Sequence, residues 1–175
     1  MEELIDIKNF RPLSYFKSFK LDVKGLYALR VKNISVLPPL FKNELVSTEK
    51  LIYIGKAEKQ TIYERLLQEC QGKGHGTFFR GIGSLLNFKP EKGSLLGKAN
   101  QNNYTFSKEN KKKIVDWMNA NLDVNFIEIK NNIEFDKERK LIKRFCPILN
   151  TTNNPNKSRA LKEIRESCRK YALSL

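Results

Sequence analysis

Two short segments place a tyrosine near a glycine in runs of strand-forming residues: Gly25-Leu26-Tyr27 and Tyr53-Ile54-Gly55. A tyrosine hydroxyl can orient a phosphate or a water by hydrogen bonding, and as a phenolate it can accept a proton. Two further residues put charge where the pattern calls for burial. Arg65 lies at i+3 from Ile62, on the edge of a helical stripe formed by Ile62, Leu66 and Cys70. Glu138 falls in line with the stripe Phe135, Leu141, Ile142 and Phe145. A carboxylate on that face points toward the protein body, where an unpaired charge is costly. Either Arg65 or a bound metal ion would supply the compensating cation. Each residue also has a plainer role open to it. The tyrosines can be strand packing. Arg65 can pair with Glu69 one turn on. Glu138 can pair with Lys137, Arg139 or Lys140 on a solvated face. Asn150 can be a turn residue after Pro147.

The charge balance points to a polyanion. In 175 residues, 33 Lys and Arg stand against 19 Asp and Glu, a formal net charge of +14. A folded chain bears that much self-repulsion most readily when its partner is an anion such as nucleic acid. A membrane surface is disfavoured because no long basic amphipathic helix is present. The candidate nucleic-acid contacts are Lys56, Lys73, Arg80 and the run Lys111, Lys112 and Lys113, with Lys162, Arg165, Arg169 and Lys170 extending the basic surface or solubilising the last helix. The loop Gly72-Lys73-Gly74-His75-Gly76 lacks the strand–loop–helix setting and spacing of a nucleotide-binding loop. It is expected to contact DNA or to bear a base, with His75, the one histidine, as a candidate proton-transfer group. Cys70, Cys146 and Cys168 are odd in number and widely spaced, which suggests neither a disulfide framework nor a zinc site. The N-terminus is acidic and no apolar stretch approaches the roughly 20 residues of a membrane span, so a cytoplasmic location is expected.

The elements that must hold these residues follow from periodicity. Strands are expected at 25–31, 50–55 and 123–130, the first two antiparallel and joined by an insertion, 32–49, read as a loop from Pro38-Pro39. Thr61 and Glu64 form a capping box that opens a helix. A short helix at 78–88, a Gly- and Asn-rich excursion at 89–106, and helices after Ser107, at 135–146 and at 158–172 complete the chain. The fold class is α+β, a small antiparallel three-stranded sheet flanked by helices. Residues 1–22 form an arm packed on the core, 23–155 the main domain, and 156–175 a C-terminal helix.

The ordered set Gly25-Leu26-Tyr27, Tyr53-Ile54-Gly55-Lys56-Ala57, Arg65-Leu66, Glu138-x-x-Leu141-Ile142 and Pro147-x-x-Asn150 resembles the GIY-YIG nucleases. That family includes the N-terminal nuclease of bacterial excision repair, intron homing endonucleases and some restriction enzymes. The resemblance runs from about residue 24 to 155. It implies a metal-dependent endonuclease acting on DNA, in a setting such as restriction or phage defence. In that reading Glu138 holds one Mg2+ (or Mn2+), Tyr27 helps deprotonate the attacking water, and Tyr53 orients the phosphate or the water. Arg65 grips phosphate oxygens, and Asn150 fixes the neighbouring loop or the DNA backbone. Nearby cations are expected to lower the pKa of Tyr27. The chain departs from the family pattern in having Leu26 for isoleucine, a longer insertion after Tyr27, and Glu69 where some members carry a histidine. None of these residues reports the sugar, so an RNA substrate stays open. So do a catalytically inert nucleic-acid-binding domain and a monomeric or homodimeric state.

Overall fold

The computed structural model describes residues 2–18, 22–46, 50–72 and 76–175. One antiparallel sheet organises them. Its strands are β1 (Arg11–Pro12), β2 (Gly25–Val31), β3 (Leu51–Ala57) and β4 (Leu122–Glu128), in the spatial order β1-β4-β2-β3. The class expected from sequence is the class observed, with four strands instead of three. The additional strand is two residues long, too short to show any alternation, and Pro12 brings no amide donor to the ladder. It pairs with Asp123 and Val124 of β4.

β2 is central and covered on both faces, so it reads as an almost unbroken apolar run. Strand alternation then sorts its side chains. Tyr27, Leu29 and Val31 enter the larger core, beneath most of the helices. Leu26 and Ala28 enter a smaller core with Leu4, Ile5, Phe10, Leu141 and Ile142. Helix α1 (Glu2–Ile5) packs on this face of the sheet.

The insertion after β2 is not a plain loop. It contains a 3-10 turn (Ile34–Val36) and helix α2 (Pro39–Val46). The Pro-Pro pair that suggests a break instead starts this helix. Proline's fixed φ suits the first helical position, where its missing amide loses no bond. Phe41 and Leu45 anchor α2 in the core. Helix α3 (Ile62–Cys70) begins at the expected capping box, in which the Glu64 amide donates to Thr61 Oγ1 at 3.1 Å and the Thr61 amide to Glu64 Oε2 at 2.8 Å. Helices α4 (Thr77–Leu85), α5 (Lys108–Asn121), α6 (Lys137–Phe145) and α7 (Arg159–Leu173) follow. The excursion between α4 and α5 is tied down by buried Leu95, Tyr104 and Phe106. No helix among the described residues is long and apolar enough to cross a membrane.

β3 is an edge strand with a bulge. Leu29 pairs with Tyr53 but the next residue, Arg30, pairs with Leu51, leaving Ile52 as the extra residue. The bulge lets both Ile52 and Tyr53 face the larger core while Ile54 faces the smaller one. The outer edge of β3 is not left open. The Leu149 amide donates to the Ile52 carbonyl at 3.0 Å. Asn150 accepts from the Ile54 amide at 2.9 Å and donates to its carbonyl at 2.8 Å. One buried carboxamide thereby substitutes for a neighbouring strand and fixes the backbone between Tyr53 and Gly55.

Candidate active site

The pairing of β2 with β3 sets Tyr27 opposite Gly55 and Leu29 opposite Tyr53. Both tyrosines project to the same face, their ring centroids 6.1 Å apart, and Tyr53 also packs on Phe78 at 4.9 Å. The Tyr27 hydroxyl lies directly over Gly55. A Cβ there would collide with that hydroxyl and come within 2.8 Å of the Tyr53 ring. Glycine is therefore a spatial requirement of the second motif, since it makes room for the tyrosine of the first. Gly55→Ala is expected to displace both rings and to cost about 1–3 kcal/mol, as overpacking of a filled site does. Thermal denaturation measures this, and an unchanged midpoint would show that Tyr27 has room to move.

The capping box at Thr61 fixes where α3 begins and so where Arg65 points. The Arg65 Nε donates to the Tyr27 hydroxyl at 3.4 Å, and its Nη2 forms an ion pair with Glu69. Glu69 is fully buried, and its other oxygen accepts the Phe78 amide at 2.9 Å. That amide belongs to the first turn of α4, where free N–H groups and the helix dipole favour a negative charge. Burial pushes the Glu69 pKa up, and Arg65 and the amides of α4 pull it back. Glu69 thus ties Arg65 to α4. In the sequence Glu69 reads as a partner for Arg65 at i+4 and as the residue in place of a family histidine. A signal for more is present, because Glu69 lies at i+7 from Ile62, within the stripe that also holds Leu66 and Cys70.

Glu138 stands in the first turn of α6, across a cleft of about 440 Å³ that Tyr53, Lys56, Glu58, Gln60 and Arg65 also line. Burial raises its pKa, with Lys56 and Arg65 acting in the opposite direction. Its carboxylate has no hydrogen bond or ion pair with any described residue. The two cations that act on it most strongly are engaged with other acids. Lys56 pairs with Glu58 at 2.7 Å, and Arg65 is paired with Glu69. Arg65, one of the cations that the sequence allows for Glu138, is thus committed elsewhere. The described residues contain no group of three or more His, Cys, Asp or Glu that could enclose a metal. Mg2+ does not need one, because it is held by one or two carboxylates, several waters and substrate phosphate. A half-buried, unpaired carboxylate on an open cleft fits that ion, and Mn2+ equally.

The remaining candidates fall into three groups. Asn150 is buried and wholly engaged with Ile54, so it positions β3 and does not face the cleft. Arg80, Lys111, Lys112 and Lys113 lie on α4 and α5, away from the Tyr53–Glu138 cleft; Lys113 pairs with Glu109 at 2.6 Å. Lys73 and His75 lie outside the described residues. One expectation is corrected. The pKa of Tyr27 is raised, not lowered, because complete burial, Tyr53 and Glu69 together outweigh Arg65. Burial raises Tyr53 as well. Both are phenols at neutral pH, and only Tyr53 lines the cleft.

An anchored guanidinium facing an unneutralised carboxylate suits a phosphate ester and a cation together. Both side chains line one cleft on an antiparallel α+β scaffold. The chain belongs to the GIY-YIG family: the GIY-YIG catalytic domain matches residues 25–170, from the first residue of β2 into α7. Neither the curated proteins nor the solved structures yield a match.

Proposed function

We propose that the cleft hydrolyses phosphodiester bonds in DNA with a single Mg2+ or Mn2+ held by Glu138. The supporting observation is the unpaired, half-buried Glu138 carboxylate opposite an Arg65 that Glu69 and Tyr27 hold in place. When bound, the cation would stabilise charge developing on the leaving oxygen. Arg65 presents its guanidinium to a non-bridging phosphate oxygen, and its anchorage removes the entropic cost of ordering it at the moment of reaction. The Tyr53 hydroxyl, at the edge of the cleft, orients the phosphate or the attacking water. Lys56 adds positive charge beside it. Asn150 holds the strand that carries Tyr53. Tyr27, buried as the phenol, positions Arg65 from behind.

The role of Tyr27 is open to a direct check. Tyr27→Phe is expected to lower cleavage about tenfold at every pH, as loss of one positioning contact does. A pH–rate profile that changes shape in this variant would instead give Tyr27 the proton-accepting role. DNA is favoured by the family resemblance, and the net charge of +14 suits either nucleic acid. Labelled duplex DNA, single-stranded DNA and RNA, each incubated with Mg2+ or with chelator, test the proposal. Chelator-sensitive cleavage of DNA is expected. Salt-sensitive binding without cleavage of any of them would identify an inert binding domain.

A further inference from the structure

Beyond the Tyr53–Glu138 cleft, α4 and α7 enclose a second one, of about 450 Å³. Arg80 of α4 and Lys162, Arg165 and Arg169 of α7 line it, with Asn102 and Tyr104 from the excursion between α4 and α5. No acidic side chain among the described residues lines it. The acids of α7 are engaged elsewhere, Glu163 with Arg159 at 2.9 Å and Glu166 with Lys170 at 3.4 Å. A smaller adjoining recess shares Arg80 and Tyr104 and adds Lys98 and Lys111.

The cations are built into position. Arg165 lies across α4, its Nη2 3.4 Å from the Thr77 carbonyl and against the Cα of Gly81, where any side chain would collide with the guanidinium. Arg169 donates to Asn102 Oδ1 at 3.1 Å. Burial depresses the pKa of Arg80 and of Arg165, with Arg165 acting on Arg80, and Arg169 on Arg165, in the same direction. Convergent, partly desolvated cations repel one another at a cost to folding stability, and an anion relieves that cost. Forked guanidiniums match phosphate oxygens in particular.

This cleft is linked to the first through the start of α4. Phe78 packs on Tyr53 and gives its amide to Glu69, while its neighbour Thr77 lines the basic cleft. We infer that the α4–α7 cleft binds a backbone phosphate of the nucleic-acid substrate, flanking the bond that is cut. The inference rests on the nuclease reading for its ligand. Concavity on the scale of one or two phosphate groups, instead of a flat basic face, favours a nucleic-acid backbone over a membrane surface.

The test uses the full chain carrying Glu138→Gln, to prevent cutting, and a fluorescent DNA duplex titrated across a salt series. Arg169→Gln and Lys162→Gln are added singly in that background. Lys8→Gln serves as a control of equal charge, on the arm that packs in the smaller core. Each cleft variant is expected to weaken binding several-fold and to reduce the salt slope by about one. Melting temperature should hold or rise, an outcome that a merely structural role would not give. Lys8→Gln should do neither. Equal affinity and slope in cleft and control variants would overturn the inference while leaving the nuclease reading intact. Absence of binding by every form would overturn both. A loss confined to the cleft variants, in a chain that cuts nothing when Glu138 is restored, would support the cleft and remove the nuclease reading.

Discussion

Glu138→Gln is expected to reduce DNA cleavage at least about 100-fold, the scale seen when one preorganised charge-stabilising group is removed. Duplex affinity should change little. The same variant is expected to be more thermally stable than the wild type at neutral pH. Burial raises the pKa of Glu138, so the folded chain holds this carboxylate in its charged form at a cost. The sign follows from linkage. Between the ordinary glutamate pKa of about 4.3 and the raised folded value, the folded state binds more protons than the unfolded. Stability from this group therefore rises as pH falls through that window, and the penalty is fully present above it. The advantage of glutamine should be largest at neutral pH and close in acid. Melting curves from neutral pH to about pH 4 measure it. Mg2+ should raise the wild-type melting temperature and leave that of the variant alone, since a ligand stabilises only the form that binds it. Equal Mg2+ shifts in both proteins would remove Glu138 from the cation site. A carboxylate kept for activity at a cost to stability would be the usual trade between function and folding.

Glu69→Ala is expected to be the most damaging single change for the fold around the site. It leaves Arg65 without its partner and the Phe78 amide without an acceptor. Breaking one side of a buried ion pair costs about 3–5 kcal/mol. Arg65 keeps some solvent contact, which places the expectation near the lower end. For a chain of this size that corresponds to a melting-temperature loss of about 6–12 °C. Cleavage should fall with it, because Arg65 loses its fixed position. Glu69→Gln separates the two effects: the amide oxygen can still accept from Phe78, but no ion pair with Arg65 remains. Its stability should recover part of the loss while cleavage stays low. A Glu69→Gln enzyme with wild-type activity would show that Arg65 needs no anchor.

Much of this arrangement was legible in the sequence because it rests on local rules. The Thr61–Glu64 capping box sets the phase of α3, and the apolar stripe sets its inward face, which together aim Arg65. Strand patterns located β2, β3 and β4, and the stripe around Glu138 showed that this carboxylate turns inward. What escaped depends on long-range contact. β1 is defined only by its partner β4. The Pro38-Pro39 pair is compatible with a loop or with a helix start, and burial of Phe41 and Leu45 decides for the helix. Asn150 has the composition of a turn residue, and its bonds to Ile54 come from a strand 96 positions away in the chain. The state of Tyr27 depends on complete burial outweighing a neighbouring arginine, a balance no sequence pattern displays.

The central claim is that the cleft between Tyr53, Arg65 and Glu138 cuts phosphodiester bonds. Conversion of supercoiled plasmid to nicked or linear DNA tests it most directly, with wild type and Glu138→Gln purified in parallel. Wild-type chain with Mg2+ should cut, chelator should stop it, and Glu138→Gln should leave the plasmid intact. Equal cutting by both proteins would contradict the account.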